Sequence, residues 1–160
     1  MIDLERTIQL LGNSGVGFVI VGGIAGSVHG STHATFDLDI CYARDNDNLS
    51  RLAESLSPFH PQLRGAPAGL PFIWDVETLH RGLNFTLLTD LGDLDLLGEI
   101  SGVGFYEQVR LASVIVPLFG IECAVISLDG LIAAKRAAGR AKDKLILPEL
   151  EALREIMREE

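Results

Sequence analysis

Residues Phe18 to Tyr42, FVIVGGIAGSVHGSTHATFDLDICY, constrain this chain more than any other stretch. Phe18 to Val21 reads as an apolar strand, Gly22-Gly23 as a turn, and the small residues after it as a short helix. A second strand then carries Asp37 and Asp39. Alternate residues of a strand face opposite sides of the sheet, so these two acids point one way while Leu38 and Ile40 point the other. Adjacent carboxylates repel each other and resist burial unless something positive sits between them. Hard Mg²⁺ suits that place, because it prefers carboxylate oxygens together with substrate phosphates. The glycine pair leaves bare amides at a helix start, where the dipole and free N–H groups favour an anion. A phosphate seat beside a metal seat predicts phosphoryl or nucleotidyl transfer. The plainer alternatives are acids salt-bridged to exposed Lys or Arg, and glycines that merely make a tight turn.

The spacing of Gly22-Gly23, thirteen residues (Ile24 to Phe36), then Asp37-Leu38-Asp39-Ile40 resembles the signature of the polymerase-beta-type nucleotidyltransferase superfamily. The run GGIAGSVHG…T.DLDI is similar to its small bacterial members, abortive-infection and toxin–antitoxin types among them. The likeness continues through GDLDLL and SLDGLIAAKRAAGRAKDKL, and so spans most of the chain. It implies an α/β (α+β) fold with a mixed, twisted sheet flanked by helices. It also implies Mg²⁺ or Mn²⁺ as cofactor, a nucleoside triphosphate as substrate, and an acceptor hydroxyl on RNA, protein or a small molecule.

The resemblance further implies that Asp95, within GDLDLL, is the third carboxylate and completes the metal site formed by Asp37 and Asp39. Asp93 shares its strand face and competes for the role, but reads better as the residue leaving the turn at Gly92. Gly22 and Gly23 would cradle phosphates. Ser27, one helical turn on, can either reach a phosphate oxygen or simply pack. Lys135 gives a clue independent of the family: it lies four residues after Leu131 and seven after Leu128, on the stripe that should face the core. A lysine there either snorkels to the edge or is drawn to an acidic site, where it would compensate charge. Arg140 and Asp143 fall in the run GRAKD, where they bind nucleotide or pair with each other. His33 stands where the related pattern carries Arg, and histidine is shorter and mostly neutral at pH 7. That departure points to a different substrate or reduced activity. The alternative reading is therefore a weak or inactive nucleotide- or protein-binding module, one half of a toxin–antitoxin pair with a cognate partner. His29 and Cys41 read as satisfied polar and buried packing residues, since a thiol beside hard carboxylates would suit Mg²⁺ poorly.

Two other enzyme classes fit less well. A dinucleotide-binding G-x-G-x-x-G would need glycine at Val21 and a longer helix. A phosphatase nucleophile would lie at the end of the first buried strand, where the glycine turn stands instead.

At 160 residues the chain is expected to be one domain, 1–160, with C-terminal helices from about residue 127. The formal net charge of -9 argues against broad, charge-driven nucleic-acid binding but not against a nucleotide held through metal. The basic residues are uneven, with Lys135, Arg136, Arg140, Lys142 and Lys144 in one short stretch. No apolar run approaches the ~20 residues of a membrane span. Two cysteines without metal or disulfide spacing make a reducing cytoplasm the expected compartment.

Periodicity places a helix at Asp3 to Leu11, with Leu4, Ile8 and Leu11 on one side. A polar turn at Asp45 to Asn48 comes after the second strand, with Asn46 or Asp47 capping a helix that presents Leu49, Leu52, Ala53 and Leu56. Pro58 to Pro71 reads as the longest loop, either a substrate lid or filler, with Phe72 and Trp74 anchoring its far end. Asp75 caps a short helix through Leu79. Asn84 to Leu88 and Asp93 to Leu97 form a hairpin, and Val114 to Leu118 pairs with Ile121 to Ile126. Ser127 caps a helix to about Ala138. Pro148 at a first-turn position opens a final helix with Leu150, Leu153 and Ile156 inward.

Overall fold

The computed structural model describes residues 1–67 and 69–159. Asp3 caps the first helix, α1 (Leu4–Asn13), accepting from the Arg6 amide at 3.2 Å, and Ile8 and Leu11 are fully buried beneath it. The chain then enters β1 (Phe18–Val21), buried at all four residues as a central strand should be. It bends at Gly22, whose φ is +66, directly into α2 (Gly22–Val28). Next come β2 (Leu38–Tyr42) and α3 (Asn46–Leu56), whose Leu49, Leu52 and Leu56 are fully buried. The cap of α3 is Asp45, not Asn46 or Asp47: its carboxylate accepts from the Asn48 amide, three residues on, at 3.1 Å.

The stretch from Pro58 to Pro71 is not all loop. A 3₁₀ turn (Ser57–Phe59) and a two-residue strand, β3 (Gln62–Leu63), lie in it; Ala68 is outside the described residues. Its far end is anchored as expected, with Trp74 Nε1 donating to the Ala53 carbonyl at 2.9 Å. Asp75 caps α4 (Val76–Arg81), and the hairpin β4 (Asn84–Thr89) and β5 (Gly92–Leu97) comes next. A small pair, β6 (Glu99–Ile100) and β7 (Gly104–Phe105), leads into α5 (Tyr106–Leu111), none of which periodicity signalled. The hairpin β8 (Ser113–Leu118) and β9 (Ile121–Ile126) precedes α6 (Leu128–Ala138), capped by Ser127.

The last helix, α7 (Ala141–Glu159), contains Pro148 in its interior. It does not open at that proline, because Asp143 anchors it well before: the buried carboxylate accepts from the Arg140 amide at 3.1 Å and pins the first turn. Leu150 is fully buried and Leu153 half-buried, but Ile156 is exposed rather than inward.

Seven strands form one mixed sheet in the order β3-β4-β5-β2-β1-β9-β8. Two contacts are parallel, β1 with β9 and β2 with β5, and the remainder antiparallel. The β2–β5 contact bears most directly on chemistry, because it lays two acid-bearing strands side by side near the middle of the sheet. Among the described residues no helix is long and apolar enough to cross a membrane.

Candidate metal centre and its cavity

Asp39 on β2 and Asp95 on β5 are directly opposite each other in the parallel register, so their side chains leave the same face of the sheet. Asp37, two residues before Asp39, joins them from the position just before β2. One carboxylate oxygen from each of the three lies within 4.8 Å of the other two. Asp93 is not part of that group, so Asp95 is the third acid that converges.

Gly22 explains how Asp39 comes so close to the helix start. It has φ +66, and a Cβ added there would collide with Asp39 Oδ2. At Gly23 an added Cβ would come within 2.7 Å of Thr35 Oγ1. The glycines thus make room for the acid and for the approach to β2.

Asp39 Oδ1 is buried and has no hydrogen-bond partner. Burial, with the negative charges of Asp95 and Asp37 added, pushes its carboxyl up to about 7, while Lys135 pulls the other way. Three converging carboxylates, one of them with a buried oxygen that has no partner, form a set of hard donors suited to a divalent ion such as Mg²⁺ or Mn²⁺. The residues fit such an ion.

A cavity of about 370 Å³ opens beside Asp39, lined among others by Gly22, Leu97, Lys135, Arg140 and Asp143. The helix α6 buries Leu128 and Leu131, and the same stripe carries Lys135 to the cavity wall. There Lys135 Nζ lies 3.3 Å from Asp143 Oδ1. Arg140 also converges on Asp143, donating from Nε at 2.7 Å and from its second terminal nitrogen at 3.1 Å. Of the two options for Arg140 and Asp143, they pair with each other, and two cations share one acid. Burial alone would raise the Asp143 carboxyl, but the bonds from Arg140 and the charge of Lys135 outweigh it and bring it down to about 2. The cavity is thus lined by the acids Asp39, Glu99 and Asp143 and by the two cations Lys135 and Arg140.

The other candidates lie apart. Ser27 is exposed, does not line this cavity, and donates to the Gly23 carbonyl of its own helix at 3.2 Å. His29 bonds the Ile126 carbonyl at 2.7 Å through Nε2. His33 Nδ1 is 3.3 Å from Glu149, whose carboxylate also accepts from the hydroxyls of Ser31 and Thr32. Those hydroxyl bonds hold the Glu149 carboxyl down to about 2. His33 thus ties the loop before β2 to α7. Cys41 is fully buried, and burial, with Glu107 adding to it, pushes its thiol up to about 12.

One residue at the centre was not foreseen. Arg64, just past β3, donates to Asp95 Oδ1 at 2.6 Å and lies 3.9 Å from Asp37 Oδ2 and 3.7 Å from Asp93 Oδ1. Its first terminal nitrogen also donates to the Leu87 carbonyl at 2.9 Å. The available signal was its isolation: it is the one Asp, Glu, Lys or Arg between Glu54 and Asp75.

No protein-family model matches the chain, and no curated protein is detectably similar to it in sequence. Among solved structures, the crystal structure of a "putative nucleotidyltransferase" from Thermotoga maritima superposes with a TM-score of 0.59, covering 100% of this chain and 97% of that one at 18% identity. At that identity the likeness is one of fold, and the fold is nucleotidyltransferase-like.

Proposed function

We propose that this chain is a metal-dependent nucleotidyltransferase, moving a nucleoside monophosphate from a nucleoside triphosphate to an acceptor hydroxyl. The observation that carries the reading is the convergence of Asp37, Asp39 and Asp95, each with a carboxylate oxygen within 4.8 Å of the other two. Mg²⁺ or Mn²⁺ held by these three acids would neutralise charge on the reacting phosphate and lower the pKa of the acceptor hydroxyl.

The chain's own residues divide the remaining work. Gly22, which lies against Asp39, and Gly23 after it would offer backbone amides at the start of α2 to phosphate oxygens. Lys135 and Arg140, both held by Asp143 in the lining of the cavity, would bind the triphosphate as it enters. Asp95 would take the acceptor proton as the acceptor oxygen bonds to the α-phosphorus. The bond from that phosphorus to the bridging oxygen breaks, and pyrophosphate leaves. His33 would take no part in clamping phosphate, being engaged with Glu149. Lys135 and Arg140 in the cavity lining would offset its replacement of the related arginine.

The test is thermal unfolding with Mg²⁺ or Mn²⁺ and each of ATP, GTP, CTP and UTP, because a ligand that binds only the native state must raise its stability. The expected result is metal-dependent stabilisation by at least one triphosphate, abolished in Asp39→Asn while the variant remains folded. Undiminished binding in that variant would refute the assignment. Transfer of labelled nucleotide to RNA or protein in a lysate then separates a catalyst from the binding-module alternative.

A further inference from the structure

We propose that Arg64 is a built-in counter-cation of the acidic centre, and that a divalent ion must displace it from Asp95 in order to bind. The inference rests on the metal-centre reading and concerns what occupies that centre before the metal does.

The guanidinium touches two of the three converging acids, bonding Asp95 at 2.6 Å and lying 3.9 Å from Asp37, with Asp93 at 3.7 Å on its flank. A hard dication sits about 2.0–2.6 Å from its carboxylate ligands. An ion shared by Asp37 and Asp95 would therefore lie against a group that is itself always charged. Two cations at such a separation repel strongly in a half-buried site. They cannot both keep the same oxygens.

Withdrawal asks little of the backbone. The Arg64 amide donates to the Thr86 carbonyl at 2.9 Å, which fixes the main chain to β4 independently of the side chain. The side chain is 27% exposed and crosses β4 on the face carrying the exposed Thr86 and Leu88. A change of rotamer can move the fork off Asp95 toward solvent or toward an incoming phosphate, with β3 left in place. The resting centre is then partly neutralised by protein, and free metal must compete for it.

The sign of one measurement decides between this and the opposite role, in which Arg64 orients Asp95 for the metal. Mn²⁺ binding is read by electron paramagnetic resonance on the full chain, alongside its thermal unfolding in chelator and in Mn²⁺. Arg64→Gln is expected to bind Mn²⁺ roughly tenfold more tightly than the wild type. It should also be less stable in chelator and gain more stability from Mn²⁺. Arg64→Lys, which keeps the charge and loses the fork, should fall between the two and guards against a glutamine variant that fails to fold. Unchanged or weaker Mn²⁺ binding in Arg64→Gln, with the wild type binding normally, would overturn displacement and leave the metal centre standing. Absence of Mn²⁺ binding in all three folded proteins would overturn the metal centre itself, and this proposal with it.

Discussion

Asp39 sets a cost that the metal-free protein must carry. Its carboxyl titrates at about 7 in the fold against an ordinary value of 3.8, because burial and two neighbouring acids disfavour the charged form. Between those two pH values the native state holds a proton that the unfolded chain has released, so stability falls as pH rises from about 4 to about 7 and stays low above. In chelator, the urea midpoint should be lower at pH 8 than at pH 5.5, and Asp39→Asn should remove most of that difference. At pH 8 the variant should be more stable than the wild type by at most roughly 4 kcal/mol. An equally steep pH dependence in the variant would place the cost on other groups. The period-2 pattern of a strand made the shared side of Asp37 and Asp39 readable from the sequence, whereas in GDLDLL it says only that Asp93 and Asp95 share a face, and Asp95 was singled out by the family resemblance. Arg64 was not readable. Its position depends on a two-residue bridge, too short to show any period, and on a side chain that reaches across a neighbouring strand.

At the scale of elements, the strong periodic segments emerged within a residue or two of expectation, while the short or tertiary-dictated ones did not. The strands β6 and β7 have two residues each and α5 has six, lengths at which alternation and helical stripes carry no signal. The proline in α7 misled for a different reason. Pro148 favours a helix start locally, but the buried Asp143 with its two cations nucleates the helix earlier, and packing of Leu150 carries it through. The cost remains: Pro148 has no N–H for the Lys144 carbonyl, and its ring crowds that oxygen. Because Pro148 is exposed, Pro148→Ala should stabilise the protein by about 1–3 kcal/mol in chemical unfolding. The adjoining residue is Glu149, which holds Ser31, Thr32 and His33 of the loop before β2. A loss of stability in the alanine variant would mean that the proline sets the path of α7 needed for that anchorage.

Across the whole molecule the charge is arranged unevenly, and the arrangement bears on how a polyphosphate would arrive. A net charge of -9 repels polyanions in general, yet Lys135, Arg136, Arg140, Lys142 and Lys144 are all close to the α6–α7 junction that walls the cavity. Lys135 and Arg140 are engaged with Asp143, whereas Lys142 and Lys144 are exposed. Exposed charges of this kind act at a distance: they raise the local concentration of an oppositely charged ligand, and salt screens them beyond about 8–10 Å. Reversing both, Lys142→Glu with Lys144→Glu, should weaken binding of a metal–triphosphate complex roughly three- to tenfold at low ionic strength. The measurement is a fluorescent-nucleotide titration repeated across salt concentrations. Steering predicts that the gap between variant and wild type closes by about 0.5 M NaCl, where the Debye length is only a few ångströms. A gap that persists at that salt would mean that one of the two lysines touches the phosphates directly. The acidic character of the rest of the surface would then be incidental to recognition, because contact rather than field would select the ligand.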